Sequence, residues 1–249
     1  AVVGIPTTTK NYAYLSSGTW SLLGIEVDEP VINDASYEAN LTNEGGVYGN
    51  YRLLKNIMGL WIAQQCRETW ARDGQDYSYA QLVTLAEGAD SFHSFIDPDH
   101  DIFLAHGDMP SRIRDYCKNT QQTIPETIGQ IMRTVFESLA MKYRYVVDLL
   151  RDISGQAIER LHIIGGGAKN TLLCQMTANA LGMDVVAGPV EATALGNAII
   201  QFITQGEFAN IAEAREMLSR TISTSTYEPQ ARDEWEEQYQ NFKYLLDNA

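Results

Sequence analysis

The chain has 249 residues, of which 45% are apolar and 20% charged, and its formal net charge is −14. That length allows a substantial core, and the composition excludes disorder, collagen and coiled coil. The acidic balance argues against nucleic acid or an anionic membrane surface as partner, since both need basic patches; a small anion held by backbone N–H groups remains open.

The first third reads as strands. Tyr12-Ala13-Tyr14-Leu15 is rich in strand formers and stops at Ser16-Ser17-Gly18, a turn signal. Trp20 to Val27 resumes the extended character until Asp28-Glu29-Pro30, and a weaker third strand is expected around Leu41-Thr42-Asn43. Spacing this close predicts adjacent antiparallel strands. Then Leu53, Leu54, Ile57, Met58, Trp61 and Ile62 recur at helical spacing, predicting a helix over 51–72. A second helix is expected from Tyr77 to Glu87, an irregular stretch over 90–110, and a long helix from Glu126 to a cap at Ser154-Gly155. The last third alternates: strand Leu161 to Ile164, helix Asn170 to Leu181 capped by Gly182, strand Asp184 to Ala187, helix Thr193 to Thr204, helix Ile211 to Leu218 and an acidic tail helix. The fold class is therefore α/β, a mixed sheet of order βββ-α-β-α. No repeat or linker interrupts it, so one domain is expected over 1–249, with a helical and loop insertion near 74–122.

Cys66, Cys117 and Cys174 are few, odd in number and far apart, which fits a reduced, cytoplasmic setting. No apolar run approaches the roughly 20 residues of a membrane span, so no membrane association is expected. The chain begins at Ala1 in mid-phrase, as a piece of a longer protein would.

Four segments carry candidate sites. In LHIIGGGAKNTLL, residues 161–173, Gly165, Gly166 and Gly167 leave no Cβ in the way of a ligand, and the helix that follows offers unpaired N–H groups. This is not the Rossmann fingerprint, and glycine needed only for tight packing is an equally good account of the triplet alone. In LSSGTWSL, residues 15–22, backbone N–H groups with the Ser17 and Thr19 hydroxyls can wrap a phosphate; an ordinary hairpin is the commoner explanation. In GPVEATALGNAIIQ, residues 188–201, Thr193 can cap a helix whose Ala194, Gly196 and Ala198 form a small face suited to packing on the sheet. On the helix expected over 51–72, Asn56 and Gln64 are eight apart, about two turns, and would share a face. His93, His100 and His106 sit among Asp97, Asp99 and Asp101 without any metal-site spacing, and Asp-Pro-Asp is turn chemistry, so no metal site is expected there. His162, on an apolar strand, reads as a satisfied core histidine.

Together and in this order, LHIIGGGAKN and AGPVEATALGNA resemble the C-terminal domain of the FGGY family of carbohydrate kinases, and the likeness extends over essentially the whole chain. SSGTWSL, LTNEGG and YRLLKNIMGLW favour, within it, the branch that phosphorylates L-rhamnulose at O1 with ATP and magnesium. The resemblance implies a ribonuclease-H-like (actin-like ATPase) fold and a cytoplasmic enzyme. It implies that Gly18 and Thr19 lie against the ATP phosphates, and that Gln64, Gly165, Gly166, Asn170 and, most directly, Gly167 contact the nucleotide. Asn56 resembles the sugar-contacting asparagine. The family's catalytic aspartate belongs to a His-Asp-Thr motif expected just upstream of Ala1, and an N-terminal domain is the expected partner. The isolated chain is accordingly expected to be inactive. Cys117 matches a half-cystine of some relatives, but Thr134 stands in its partner's place, so a free thiol is expected. L-Fuculose or L-xylulose remains an alternative substrate, and an actin-like nucleotide-binding module without sugar chemistry an alternative function.

Overall fold

In the computed structural model, which describes residues 1–248, β1 (Tyr12–Ser17) and β2 (Trp20–Val27) form the expected antiparallel hairpin, with Ser17 opposite Ser21. A short helix, α1 (Asp34–Glu38), follows, capped by Asn33, whose side chain accepts from Ser36 N. β3 (Thr42–Gly45) then pairs antiparallel with β4 (Tyr51–Met58). The helix expected over 51–72 is thus half strand: only Trp61–Arg72 is helical, as α2. The misreading has a physical source. β4 is covered on both faces, so it buries the pairs Leu53-Leu54 and Ile57-Met58, and apolar pairs four apart imitate a helical stripe.

Next come α3 (Tyr79–Glu87), started by a Ser78–Gln81 capping box, and α4 (Met109–Asn119). The latter begins at the Met109-Pro110 pair that sequence alone reads as a boundary. Proline in a first helical turn lacks an N–H that would have no partner anyway, and Asp108 accepts from Ser111 N to cap it. α5 (Ile128–Ser154) is the long helix, followed by β5 (Arg160–Ile164), α6 (Thr171–Leu181) and β6 (Asp184–Ala187). The chain closes with α7 (Ala192–Thr204), α8 (Ile211–Thr221), the three-residue β7 (Ser225–Tyr227) and α9 (Arg232–Asn248). β7 is too short for a period-2 pattern to announce it.

The sheet has seven strands in the order β3-β4-β2-β1-β5-β6-β7. β1, β5 and β6 are parallel neighbours at its centre, while β2 and β7 run antiparallel to β1 and β6. The residues divide into two compact units. The first comprises Ala1–Asn56, Val146–Lys169 and Met183–Glu228; the second comprises Ile57–Tyr145, Asn170–Gly182 and the chain from Pro229. In the first, Val2, Ile5, Tyr12, Tyr14, Ile164 and Ala192 form one buried cluster and Val3, Ile199, Ala214 and Leu218 another. The second has an aromatic core in which Phe92 packs edge-on to Trp235 at 4.9 Å and Phe95 to Phe242 at 5.9 Å.

Candidate nucleotide site

Three turns of the first unit leave the carboxyl ends of β1, β5 and β6. They are Ser17–Thr19, Gly165–Lys169 and Gly188–Glu191. Ser16 is level with Ile164, and Ile163 with Ala187, so the turns emerge side by side. Carboxyl ends of parallel strands are where α/β sheets collect ligands, because the chain leaves the sheet there and frees backbone groups. The second and third turns are tied together: Gly165 N donates to Pro189 O at 3.3 Å and Gly188 N to Ile163 O at 2.8 Å.

The triplet divides into two kinds of glycine. Gly165 has φ +85°, and a Cβ there would lie 2.8 Å from Ser17 O. A Cβ on Gly167 would lie 1.9 Å from Ser17 Oγ and 2.5 Å from Ser17 Cβ. Both therefore meet the packing requirement that competed with ligand contact in the sequence. Gly166 is different: it is exposed, its φ is not positive, and a Cβ would find nothing within 4 Å. It opens a 3-10 turn, Gly166–Lys169, ahead of α6. The open surface of the triplet is at Gly166, although the resemblance points most directly to Gly167.

At the hairpin tip, Gly18 N donates to Trp20 O at 2.9 Å, so that N–H serves the turn itself. Thr19 is exposed, and Ser17 is buried with its Oγ lacking a hydrogen-bond partner among the described residues. The Ser17 hydroxyl therefore does not stand beside Thr19 on the surface, as the sequence suggested, but points into the protein.

The remaining expected contacts lie outside these three turns, Asn170 directly after one of them. Asn56 is an exposed residue of β4 and Gln64 a half-buried residue of α2, so the helix face they were expected to share does not exist. Asn170, in the second unit, is the N-cap of α6 and accepts from Leu173 N at 3.0 Å. Thr193 is not a cap: Glu191 holds that position without a side-chain bond, and Thr193 sits exposed in the first turn of α7. The small face of α7 is Ala192 and Gly196, whereas Ala194 is exposed. It packs on the N-terminal turn Val2–Gly4, where a Cβ on Gly4 would lie 2.4 Å from Ala192 O, and Ala192 also shares a buried cluster with Tyr12, Tyr14 and Ile164 of the sheet. Gly4, inside the apolar AVVGIP, gave no sequence signal beyond being a glycine.

In the second unit, Lys142 Nζ binds Asp97 Oδ1 at 2.8 Å and Asp99 Oδ2 at 3.2 Å, and Asp99 also accepts from Met58 N at 2.8 Å. Those carboxylates are structural. Cys117 is a buried free thiol whose pKa burial raises, beside Ser94, which bonds Thr134 Oγ1 at 3.1 Å. His162 is buried as expected but not satisfied. Neither ring nitrogen has a partner among the described residues, and burial, then the charges of Arg160 and Arg215, push its pKa down to about 4. It is neutral and packs edge-on to Tyr12 at 5.5 Å. No helix among the described residues is long and apolar enough to cross a membrane.

Residues 13–204 match the FGGY family of carbohydrate kinases, C-terminal domain. The chain belongs to this family. It is 51% identical over 98% of its length to a rhamnulokinase of Bacteroides thetaiotaomicron, and 42% identical over 98% to one of Pectobacterium carotovorum. In each case it spans 49%, about half, of the relative's own length. Among solved structures, a xylulose kinase from Rhodospirillum rubrum superposes with TM-score 0.71 at 17% identity, covering 98% of this chain and 48% of that one. A Plasmodium falciparum glycerol kinase solved with ADP gives 0.70 at 15% identity, covering 98% and 48%. The FGGY chain thus has the mixed-sheet, actin-like ATPase fold that the resemblance implied.

Proposed function

We propose that the whole protein carrying this FGGY domain is an ATP-dependent ketose kinase acting on L-rhamnulose at O1, and that this chain is its nucleotide-binding half. The observation that carries the reading is the open glycine, Gly166, on a backbone turn beside the Thr19 hairpin at the carboxyl ends of β1 and β5. Backbone approach without a Cβ suits a nucleotide, and a hydroxyl at Thr19 suits a phosphate oxygen. The substrate follows from the two rhamnulokinases, and ATP from the family and from the ADP of the glycerol kinase. Asn56 as a sugar contact, and Gln64 and Asn170 as nucleotide contacts, rest on the resemblance alone.

The residues fit the nucleotide better than a resident metal. The described residues hold no group of three or more metal-ligating side chains, and the two turns present the exposed residues Gly166 and Thr19. Magnesium keeps most of its water and is commonly carried on substrate phosphates, where it neutralises developing charge. Thr19 and the turns would position and orient the phosphates, while the aspartate of the family's His-Asp-Thr motif would take the proton from the sugar hydroxyl. Positioning and fixed dipoles supply most of the rate in such transfers.

A coupled ADP-release assay on the whole protein tests the reading. L-Rhamnulose is expected to give the highest kcat/KM in a panel with L-fuculose and L-xylulose, and the 249 residues alone no turnover. A better rate with another ketose would move the substrate, and ATP binding without turnover of any sugar would favour the nucleotide-binding module.

A further inference from the structure

Ser17 fills both spaces that the triplet leaves empty. Its carbonyl oxygen would lie 2.8 Å from a Cβ on Gly165, and its Oγ and Cβ 1.9 and 2.5 Å from one on Gly167. The same residue is followed directly by Gly18 and Thr19, so one side chain joins the hairpin tip to the glycine turn. The fit is tight enough that a single methyl at Gly167 cannot enter, because the obstacle includes the Cβ of a strand residue and not the end of a flexible chain. Ser17 is 2% exposed and fixed in the pairing of β1, opposite Ser21. Its hydroxyl finds no partner among the described residues, although an unpaired buried hydroxyl costs stability that alanine would avoid. Hydrogen bonding within the fold therefore does not explain this residue; its shape and place do.

We propose that Ser17 is a positioning residue for the nucleotide: a spacer whose size sets the separation of the Thr19 hairpin from the Gly165–Lys169 turn. The proposal rests on the nucleotide reading above. A larger residue at 17, or any side chain at 167, pushes the turns apart and misplaces the groups that face the ligand. Misplacement of this kind weakens ATP without touching the sugar. The spacer also makes residues 17 and 167 complementary in volume, so that one can be traded for the other.

The test uses the whole protein with Ser17→Val, Gly167→Ala and the pair Ser17→Gly with Gly167→Ala, read by KM for ATP, KM for sugar and melting temperature. The two single variants are expected to raise KM for ATP about ten-fold or more, with KM for sugar within about two-fold. The pair is expected to recover most of that loss, since contacting residues couple rather than add. Should Gly167→Ala fail to fold, restoration of folding by Ser17→Gly supports the spacer and failure to restore it overturns the proposal. ATP-dependent wild-type protein whose pair recovers none of the Gly167→Ala loss, or whose Gly167→Ala keeps normal ATP affinity, overturns the spacer alone. Wild-type protein indifferent to ATP overturns the nucleotide reading and the spacer with it.

Discussion

Two stretches between regular elements are candidate ligand sites in the sequence, one rich in polar side chains and one rich in glycine, and the structure separates them. Residues 93–101, rich in His and Asp, have the composition of a ligand site, yet Asp97 and Asp99 are occupied with Lys142 and with Met58 N. Residues 165–169 carry one charge, Lys169, and still expose a glycine with open space above it. The polar side chains of the first stretch are taken up inside the fold, whereas in the second the place of a missing side chain at Gly166 is left open, beside the Thr19 hairpin where the proposed function puts the nucleotide. The lesson applies within the triplet too, where two glycines answer to Ser17 and one does not.

The largest expected effect breaks the structural half of this comparison. Lys142→Ala leaves two carboxylates facing each other without their cation, and thermal unfolding should show a loss of about 3 kcal/mol or more. ATP affinity of the remaining folded protein should not change. If that variant instead keeps its stability and loses ATP affinity, the two stretches have been assigned the wrong way round.

Next in size is the opposite pattern. Gly166→Val meets no neighbour within 4 Å and no positive φ, so its melting should stay within about 1 kcal/mol of wild type. Its KM for ATP in the whole protein should rise about ten-fold or more. Normal ATP kinetics would make Gly166 a packing glycine like its neighbours.

How far the sequence leads follows the same division. The β1–β2 hairpin, β5, α6, β6 and α7 are legible because their apolar runs are bounded by glycine, proline or capping residues, and the family likeness agrees with them. β4 is not legible, because burial on both faces imitates helical spacing at Leu53, Leu54, Ile57 and Met58, and the error carried Asn56 onto a helix it does not occupy. Gly165–Gly167 announced a turn, but which of the three faces outward depends on Ser17, nearly 150 positions away in the chain, and no local pattern records that contact. The packing of Gly4 on Ala192 is hidden for the same reason.

pH dependence should divide the two units by sign. In the second, burial outweighs Arg133 and the Phe92 N–H and lifts the Glu137 carboxyl to about 7. The folded state then holds a proton that the unfolded chain has released, so stability falls as pH rises from about 4.5 toward 7. In the first unit His162 is held down to about 4, so the unfolded chain binds the extra proton and stability falls as pH drops from 6.5 toward 4. Comparing the wild-type pH profile of unfolding with those of Glu137→Gln and His162→Phe should remove one slope each. A variant that leaves its slope intact would show that another group titrates there.

The smallest expected effect concerns Asn170. Asn170→Ala should cost about 1 kcal/mol as a lost helix cap, and Asn170→Asp, which keeps an accepting oxygen, much less. A change in ATP affinity common to both, with the cap retained in the second, would add the Asn170 amide to the nucleotide contacts.

Amide hydrogen exchange on the whole protein, with and without ATP, tests the central claim most directly. The account predicts slower exchange on adding ATP at Gly166–Lys169 and at Thr19, and unchanged exchange over residues 93–101. Exchange at Gly166–Lys169 that is indifferent to saturating ATP would contradict it.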